Sequence, residues 1–522
     1  MKARLLIVLQ AAVIVAAAWW IYAPALHGEW LWDDNTNITE NPLMRDPAAL
    51  WKIWFAPTSL DYYPLQMTVE WAQWRLWGMD TLGYHATNVI LDIACAFLLW
   101  RVLRKLGLRL AWLGGLLLVV HPVTVESVAW IVEVKNTMSL AFLLLAYASW
   151  LDYRGRRDGV MSQLLDSRSE LKSWDMTPYL LALGFFVAAM LSKASVVMFP
   201  FVLLLHAWWK TGRVSRRDAV EAAPFLVVSL ALGLVAVLLQ QHRAIGAVAL
   251  PLGGPLSRAA VAGLGAAFYL WKFLVPAGLM PIYPRWDVDP PSALQFLPWL
   301  AIGGLAWFLW RTRRRGALFC LAVFLVNLAP VSGIISVSYM RLTWVMDHLA
   351  YVSFVGLIGL AVAAADRAQA RFRVASIVLF AALAAVLAAQ SRACAGAFAT
   401  ARVYWTRALA GNPGAWAAHY NLALILVQSG EFPEAIAHLE RAVALNTAYE
   451  AAENNLANAL SQTGRYDEAV PHYESALRLN PGNAVTHYDY GLTLRSLGRS
   501  DEARDQVTEA ARLGFFDRQP GK

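Results

Sequence analysis

Eleven apolar runs follow one another with little polar sequence between them, near positions 5–26, 86–103, 110–125, 137–152, 178–192, 195–209, 222–241, 292–310, 316–332, 349–365 and 374–390. Few folds accommodate such a pattern. Inside a bilayer the backbone must satisfy its own hydrogen bonds, so runs of this length predict membrane-crossing helices. Charged residues are only 15% of the 522 positions against 58% hydrophobic, which excludes one large water-soluble globule. The first run follows Lys2 and Arg4 and reaches about twenty residues before Pro24, longer than a signal-peptide core, so it is read as a retained helix. A twelfth apolar stretch, 259–275, would reverse the sidedness of every later segment. It is therefore expected to be re-entrant or interfacial.

Basic residues gather in short gaps: Arg101, Arg104, Lys105 and Arg109; Arg154, Arg156 and Arg157; Lys210, Arg213, Arg216 and Arg217; Arg311, Arg313, Arg314 and Arg315; Arg367, Arg371 and Arg373. The positive-inside bias puts all five with the N-terminus in the cytoplasm. An odd number of crossings then leaves the segment after Gln390 on the outer face. From Asn412 onward there are 9 Lys+Arg against 14 Asp+Glu, so the chain's net +8 reports membrane topology, and no nucleic-acid partner is expected. Three cysteines, Cys95, Cys320 and Cys394, imply no disulfide framework.

The C-terminal part repeats every 34 residues: Asn412, Asn446, Asn480 and Gly514; Gly430, Gly464 and Gly498; Ala435, Ala469 and Ala503; Ala442, Ala476 and Ala510. This period is that of tetratricopeptide repeats, helical hairpins that stack into an α-solenoid. Ala401, Trp405 and Ala408 carry the register one unit upstream. The expected organisation is a membrane domain over 1–390 with a long outer loop at 27–85, a connecting helix or half-repeat at 391–411, three repeats over 412–514, and a tail at 515–522. Asn421, Asn455 and Asp489 also keep the 34-residue period. They either line a peptide-binding groove or cap and space the helices.

Candidate chemistry lies in the outer loops. Asp33 and Asp34 stand about a dozen residues past the aromatic end of the first span, and adjacent carboxylates near lipid are costly to keep. Trp51, Trp54, Phe55, Trp71, Trp74 and Trp77 come next at helical spacing, which predicts helices lying flat at the headgroup level as an interfacial platform or an aromatic belt. The next outer turn carries His121, Glu126, Glu133 and Lys135, able to act as acids, bases, ligands or a phosphate partner. Spacing alone defines no metal cluster there; salt bridges and helix caps are the favoured reading, a divalent metal the lesser alternative, and no cofactor is firmly implied. Lys193, between two spans, either meets an anionic group such as a lipid phosphate or snorkels. Arg341 and the pair Asp347-His348 are further outward-facing charges.

Taken together, WDDNTNITENP (32–42), GYHATNVILD (83–92), HPVTVESVAWIVEVKN (121–136), LSKASVVMFP (191–200) and the repeats resemble bacterial members of the transmembrane and tetratricopeptide-repeat O-mannosyltransferases, of the C-type glycosyltransferase superfamily. The resemblance runs over almost the whole chain. It implies transfer of a sugar from a polyprenyl-phosphate donor to an acceptor, chiefly a protein hydroxyl, on the outer face of a bacterial inner membrane, with inversion. An acid of the first outer loop, here Asp33 or Asp34, would take the hydroxyl proton. Lys193, Lys135 and Arg341 would meet the donor phosphate, with His121, Glu126 and Glu133 supporting the pocket and Asn421, Asn455 and Asp489 holding the acceptor. Where relatives carry Asp-Arg-Tyr, this chain has Asp347-His348-Leu349, so no arginine is supplied at that point. The alternative is a membrane-anchored repeat scaffold of the envelope without catalysis.

Overall fold

The computed structural model describes residues 2–56, 61–165, 175–245 and 252–516, so most of the 515–522 tail lies outside the described residues. Regular structure among these residues is helical throughout. Two compact units form: Met1–Leu279 with Arg285–Thr400, and Met280–Pro284 with Ala401–Lys522.

The first unit opens with α1 (Lys2–Tyr22), followed in the long loop by α2 (Pro42–Arg45), α3 (Ala49–Phe55) and α4 (Pro64–Trp77). Then come α5 (Leu82–Lys105), α6 (Trp112–Val120), α7 (Val125–Ala129), α8 (Val134–Leu165), α9 (Thr177–Ser192), α10 (Phe199–Thr211), α11 (Arg216–Leu239), α12 (Pro255–Leu274), α13 (Leu297–Arg311), α14 (Arg315–Leu328), α15 (Phe354–Arg371) and α16 (Arg373–Ala395). Each of the eleven expected spans falls on one of these helices or, for 110–125, on a helix pair. Among the described residues seven stretches are long and apolar enough to cross a bilayer, and the α6 and Pro122–Ala129 pair, bent by 64°, makes an eighth. The lower number has plain reasons: α9 and α14 are apolar but short, and the last turns of α15 carry Asp366, Arg367 and Arg371. The helix α12 is not among the spans, and Arg258 and Lys272 stand near its two ends. This is an integral membrane protein.

Lipid accounts for the side chains left outside. Val227, Leu230 and Leu234 of α11, Trp307 and Trp310 of α13 and Leu379 of α16 are all exposed, a surface that water would not tolerate and acyl chains would. Between helices the contacts are close. A Cβ on Gly115 of α6 would lie 2.5 Å from the Ala96 carbonyl of α5, so only glycine lets these two backbones approach.

In the long loop the tryptophans divide. Trp51 and Phe55 are exposed, whereas Trp54, Trp71, Trp74 and Trp77 pack on Ile38, Leu43, Met44, Ile53 and Tyr84. Trp54 Nε1 donates to Thr68 Oγ1 at 3.0 Å, and Trp71 Nε1 donates to the Asp46 carbonyl at 3.0 Å. Most of the expected interfacial platform is therefore a small core of the loop's own, because these rings find enough apolar surface within it.

The second unit contains α17 (Ala401–Gly411), α18 (Trp416–Gln428), α19 (Phe432–Leu445), α20 (Glu450–Gln462), α21 (Tyr466–Leu479), α22 (Ala484–Ser496) and α23 (Ser500–Arg512). Gly430, Gly464 and Gly498 adopt φ of 76°, 78° and 77° at the hairpin turns, the left-handed region that favours glycine. The periodic alanines Ala435, Ala442, Ala469, Ala476, Ala503 and Ala510 are buried, which lets paired helices close on one another. The helix α17 buries Tyr404, Trp405 and Ala408, and the Asn412 amide donates to the Ile282 carbonyl at 3.3 Å.

Candidate active site

The two adjacent aspartates are held differently. Asp34 is fully buried, and both its oxygens accept backbone N–H groups, Oδ2 from Leu31 at 2.9 Å and Oδ1 from Val132 at 2.8 Å. It staples the loop after α1 to the turn before α8. Between those anchors Trp32 takes φ of 42°, a conformation rare for a bulky residue, with its ring stacked on Trp130 at 5.8 Å. That twist turns Asp33 the other way. Asp33 is half-buried beside Lys135, Glu133, His348 and Asp61; burial raises its carboxyl above the ordinary value while the Lys135 ammonium works against the rise.

Glu133 is the hub of this group. Its carboxylate is 3.0 Å from Lys135 Nζ and 3.2 Å from Lys193 Nζ, accepts from Asn136 Nδ2 at 2.5 Å, and lies 3.9 Å from His348 Nε2. Lys193 follows the last turn of α9 in an extended conformation and also donates to Asn136 Oδ1 at 2.7 Å. Burial lowers its pKa, opposed by Glu133. His348 joins from the other side, where its backbone N–H donates to Glu126 Oε2 at 3.0 Å and its Nδ1 lies 3.4 Å from the same oxygen. Three segments distant in sequence thus bring Glu126, Glu133, Lys135, Lys193 and His348 together. Each ammonium has three donors, and the bonds described use one from Lys135 and two from Lys193, which leaves capacity for an anionic oxygen.

Not every candidate stands in this cluster. His121 spends both ring nitrogens on backbone, Nε2 on the Phe273 carbonyl at 3.0 Å and Nδ1 on the Val123 N–H at 3.4 Å, and stacks on Phe273. In these contacts the imidazole fastens the bend between α6 and α7. Arg341 Nη2 donates to the Ile245 carbonyl at 2.5 Å, and its Nε is buried with no protein partner. In the solenoid, Asn421 Nδ2 donates to the Ala417 carbonyl at 2.7 Å, Asn455 Nδ2 to the Tyr420 hydroxyl at 2.9 Å, and Asp489 Oδ2 accepts from Asn458 at 3.1 Å. For these contacts the cap-or-space reading describes what the side chains do. Among the described residues no group of three or more His, Cys, Asp or Glu is placed to hold a metal ion.

Two acids escaped the sequence reading. Asp61 hydrogen-bonds Gln240 and bears electrostatically on Asp33, Lys135 and Lys193. Glu70 is buried on α4, accepts from Gln66 Nε2 at 2.8 Å, and is pushed up by burial to about 7. Its signal was present. Gln66, Glu70 and Gln73 recur at spacings of four and three, a polar face on an otherwise aromatic helix, and all three are buried.

The fold and this cluster define an all-α, multi-span membrane protein with a tetratricopeptide-repeat solenoid and an acid-and-ammonium site at the ends of its helices. Tetratricopeptide-repeat family models match residues 386–450 and 448–513. Among curated proteins the chain is similar to protein O-mannosyl-transferase TMTC1 of Mus musculus, 28% identical over 212 residues covering 38% of this chain and 22% of that protein. It is also similar to TMTC1 of Homo sapiens, 30% identical over 154 residues covering 27% of this chain and 18% of that protein. The chain therefore spans about a fifth of the length of these relatives. Among solved structures, ArnT from Cupriavidus metallidurans bound to undecaprenyl phosphate aligns at a TM-score of 0.41 and 15% identity, over 97% of this chain and 88% of that one. The resemblance to repeat-bearing O-mannosyltransferases of the membrane holds.

Proposed function

We propose that the chain is a membrane glycosyltransferase that moves a sugar from a polyprenyl-phosphate donor to a hydroxyl of a protein acceptor on the non-cytoplasmic face. The observation that carries this reading is the division of labour between the paired aspartates: Asp34 is consumed by two backbone amides, and Asp33 stands half-buried beside Lys135, Glu133 and His348. Asp33 takes the proton from the attacking hydroxyl. As the bond to the anomeric carbon forms on the face opposite the departing phosphate, the configuration inverts. Lys135 and Lys193 neutralise the charge gathering on that phosphate. Arg341, outside that cluster and with its buried Nε open, is a further cation for the donor's headgroup. Glu126, Glu133 and His348 keep the ammoniums and the loop in place, and the repeats hold the acceptor, with the oxygens of Asn421 and Asn455 and the carboxylate of Asp489 available to its backbone.

A polyprenyl chain keeps the donor in the bilayer, which suits a site at the ends of apolar helices. The names of the similar proteins, O-mannosyl-transferases, support the same class of chemistry. Membranes holding the intact chain, incubated with labelled polyprenyl-phosphate sugars, are expected to label protein. Asp33→Asn abolishes the label with normal insertion, and Asp34→Asn lowers it together with the yield of folded protein. Unchanged labelling in both variants removes these acids from catalysis.

A further inference from the structure

The helix α5 carries a buried polar face that the proposed chemistry leaves unused. Asn88, Asp92 and Cys95, at spacings of four and three, lie on one side of this span, and all are buried. Asn88 Nδ2 donates to the Trp130 and Ile131 carbonyls at 2.9 and 3.2 Å, and Cys95 Sγ to the Thr137 carbonyl at 3.2 Å. These bonds fix both sides of the stretch that holds Glu133, Lys135 and Asn136. Asp92 does the same for the opposite side of the site. The Tyr351 hydroxyl donates to Asp92 Oδ1 at 2.7 Å, and Tyr351 is one turn beyond His348.

Asp92 is an expensive anchor. Its Oδ2 is buried with no protein partner, and a carboxyl inside an apolar span carries a desolvation cost that a leucine would not. What it secures is specific: Tyr351 ends the 3-10 turn Asp347–Ala350, which carries His348 between Glu126 and Glu133 and lets the His348 carbonyl accept from Asn136 Nδ2 at 3.3 Å. We propose that Asp92 is a positioning residue that, through Tyr351, sets His348 between the two glutamates and so closes the candidate site. His348 there faces Glu126, Glu133 and the edge of the Trp130 ring, with Asp33 also bearing on it electrostatically. The catalytic half of this inference rests on the proposed transferase reading; the structural half does not.

The test is carbethoxylation of the full-length protein in detergent by diethyl pyrocarbonate, read histidine by histidine from peptide masses. His121 and His206, buried and hydrogen-bonded elsewhere in the membrane unit, are internal controls. Asp92→Leu and Tyr351→Phe are expected to raise His348 modification several-fold with His121 and His206 at the parent rate, because a lost anchor opens only its own segment. Asp92→Asn keeps an acceptor for Tyr351 and is expected to match the parent. His348 unchanged in Asp92→Leu and Tyr351→Phe, Asp92→Asn behaving as Asp92→Leu, or all three histidines rising together would each overturn the proposal. In the labelled-donor assay Asp92→Leu lowers the transfer rate and Asp92→Asn restores it. If the parent transfers nothing, the transferase reading falls while the labelling pattern still decides the role of Asp92.

Discussion

Replacing Glu133 by glutamine keeps the side chain's shape and one acceptor oxygen but removes the charge that balances two ammoniums. The carboxylate is 2% exposed, with Lys135 at 3.0 Å and Lys193 at 3.2 Å, so water replaces it poorly. Breaking a buried ion pair by neutralising one partner costs about 3–5 kcal/mol. Glu133→Gln is therefore expected to lower unfolding stability by that amount. The chain has one way to soften the loss, which is to release the Lys193 proton, already loosened by burial. With its folded pKa below the unfolded one, Lys193 binds fewer protons when folded, so stability of the variant rises with pH across that interval. Glu133→Gln should accordingly be least stable at neutral pH and partly recovered under alkaline conditions. Adding Lys193→Met, which removes the unbalanced charge, restores part of the loss at neutral pH. Unfolding of the purified protein in detergent, followed by tryptophan fluorescence for the parent, both single variants and the double, reads all of this out. A Glu133→Gln variant within about 0.5 kcal/mol of the parent, or a double variant whose losses simply add, would refute the hub.

The remaining expectations concern other parts of the chain. Burial lifts Glu70 from 4.5 to about 7, so the folded state holds its proton more tightly; the stability this supplies is full below the unfolded value and lost as pH rises through the folded one. Glu70→Gln should therefore flatten the fall in melting temperature between about pH 5 and about pH 7 and melt above the parent at alkaline pH, and a pH profile parallel to the parent's would contradict it. Tyr473 is buried, stacks on Tyr490 at 5.3 Å and donates to Asn458 Oδ1 at 2.5 Å. Tyr473→Ala should destabilise the repeats by about 3–5 kcal/mol, seen as tryptic cleavage within 401–516 at lower urea.

How much of the molecule was readable in advance depends on the kind of signal each feature leaves. Spans and repeats are periodic: apolar length marks the helices, and the 34-residue recurrence of Gly430, Gly464 and Gly498 falls on the hairpin turns. The meeting of Glu126, Glu133, Lys193 and His348 leaves no periodic trace, since it depends on how α8, α9 and the 347–350 turn pack. His348 carried little weight as an isolated charge in a short loop, yet it bridges two glutamates. Asp33 and Asp34 are chemically alike in sequence. Only the backbone twist at Trp32 separates one, bonded to two amides, from the other, beside Lys135. For His121 the sequence shows an ionisable side chain in a turn, and only the packing shows both ring nitrogens bonded to backbone. The tryptophans of α4 had the spacing of a membrane-surface helix and of a core helix equally, and partner residues decided between them.

The central claim is that Asp33 is the base and that neighbouring ammoniums, not Asp33, hold the donor. Single-turnover transfer by purified protein in nanodiscs, with donor affinity measured on the same preparation, separates the two. Asp33→Asn is expected to bind the polyprenyl-phosphate sugar as the parent does while its transfer rate constant falls by about 10²–10⁴. A variant that transfers at the parental rate, or one that loses donor binding with chemistry intact once donor is saturating, would contradict it.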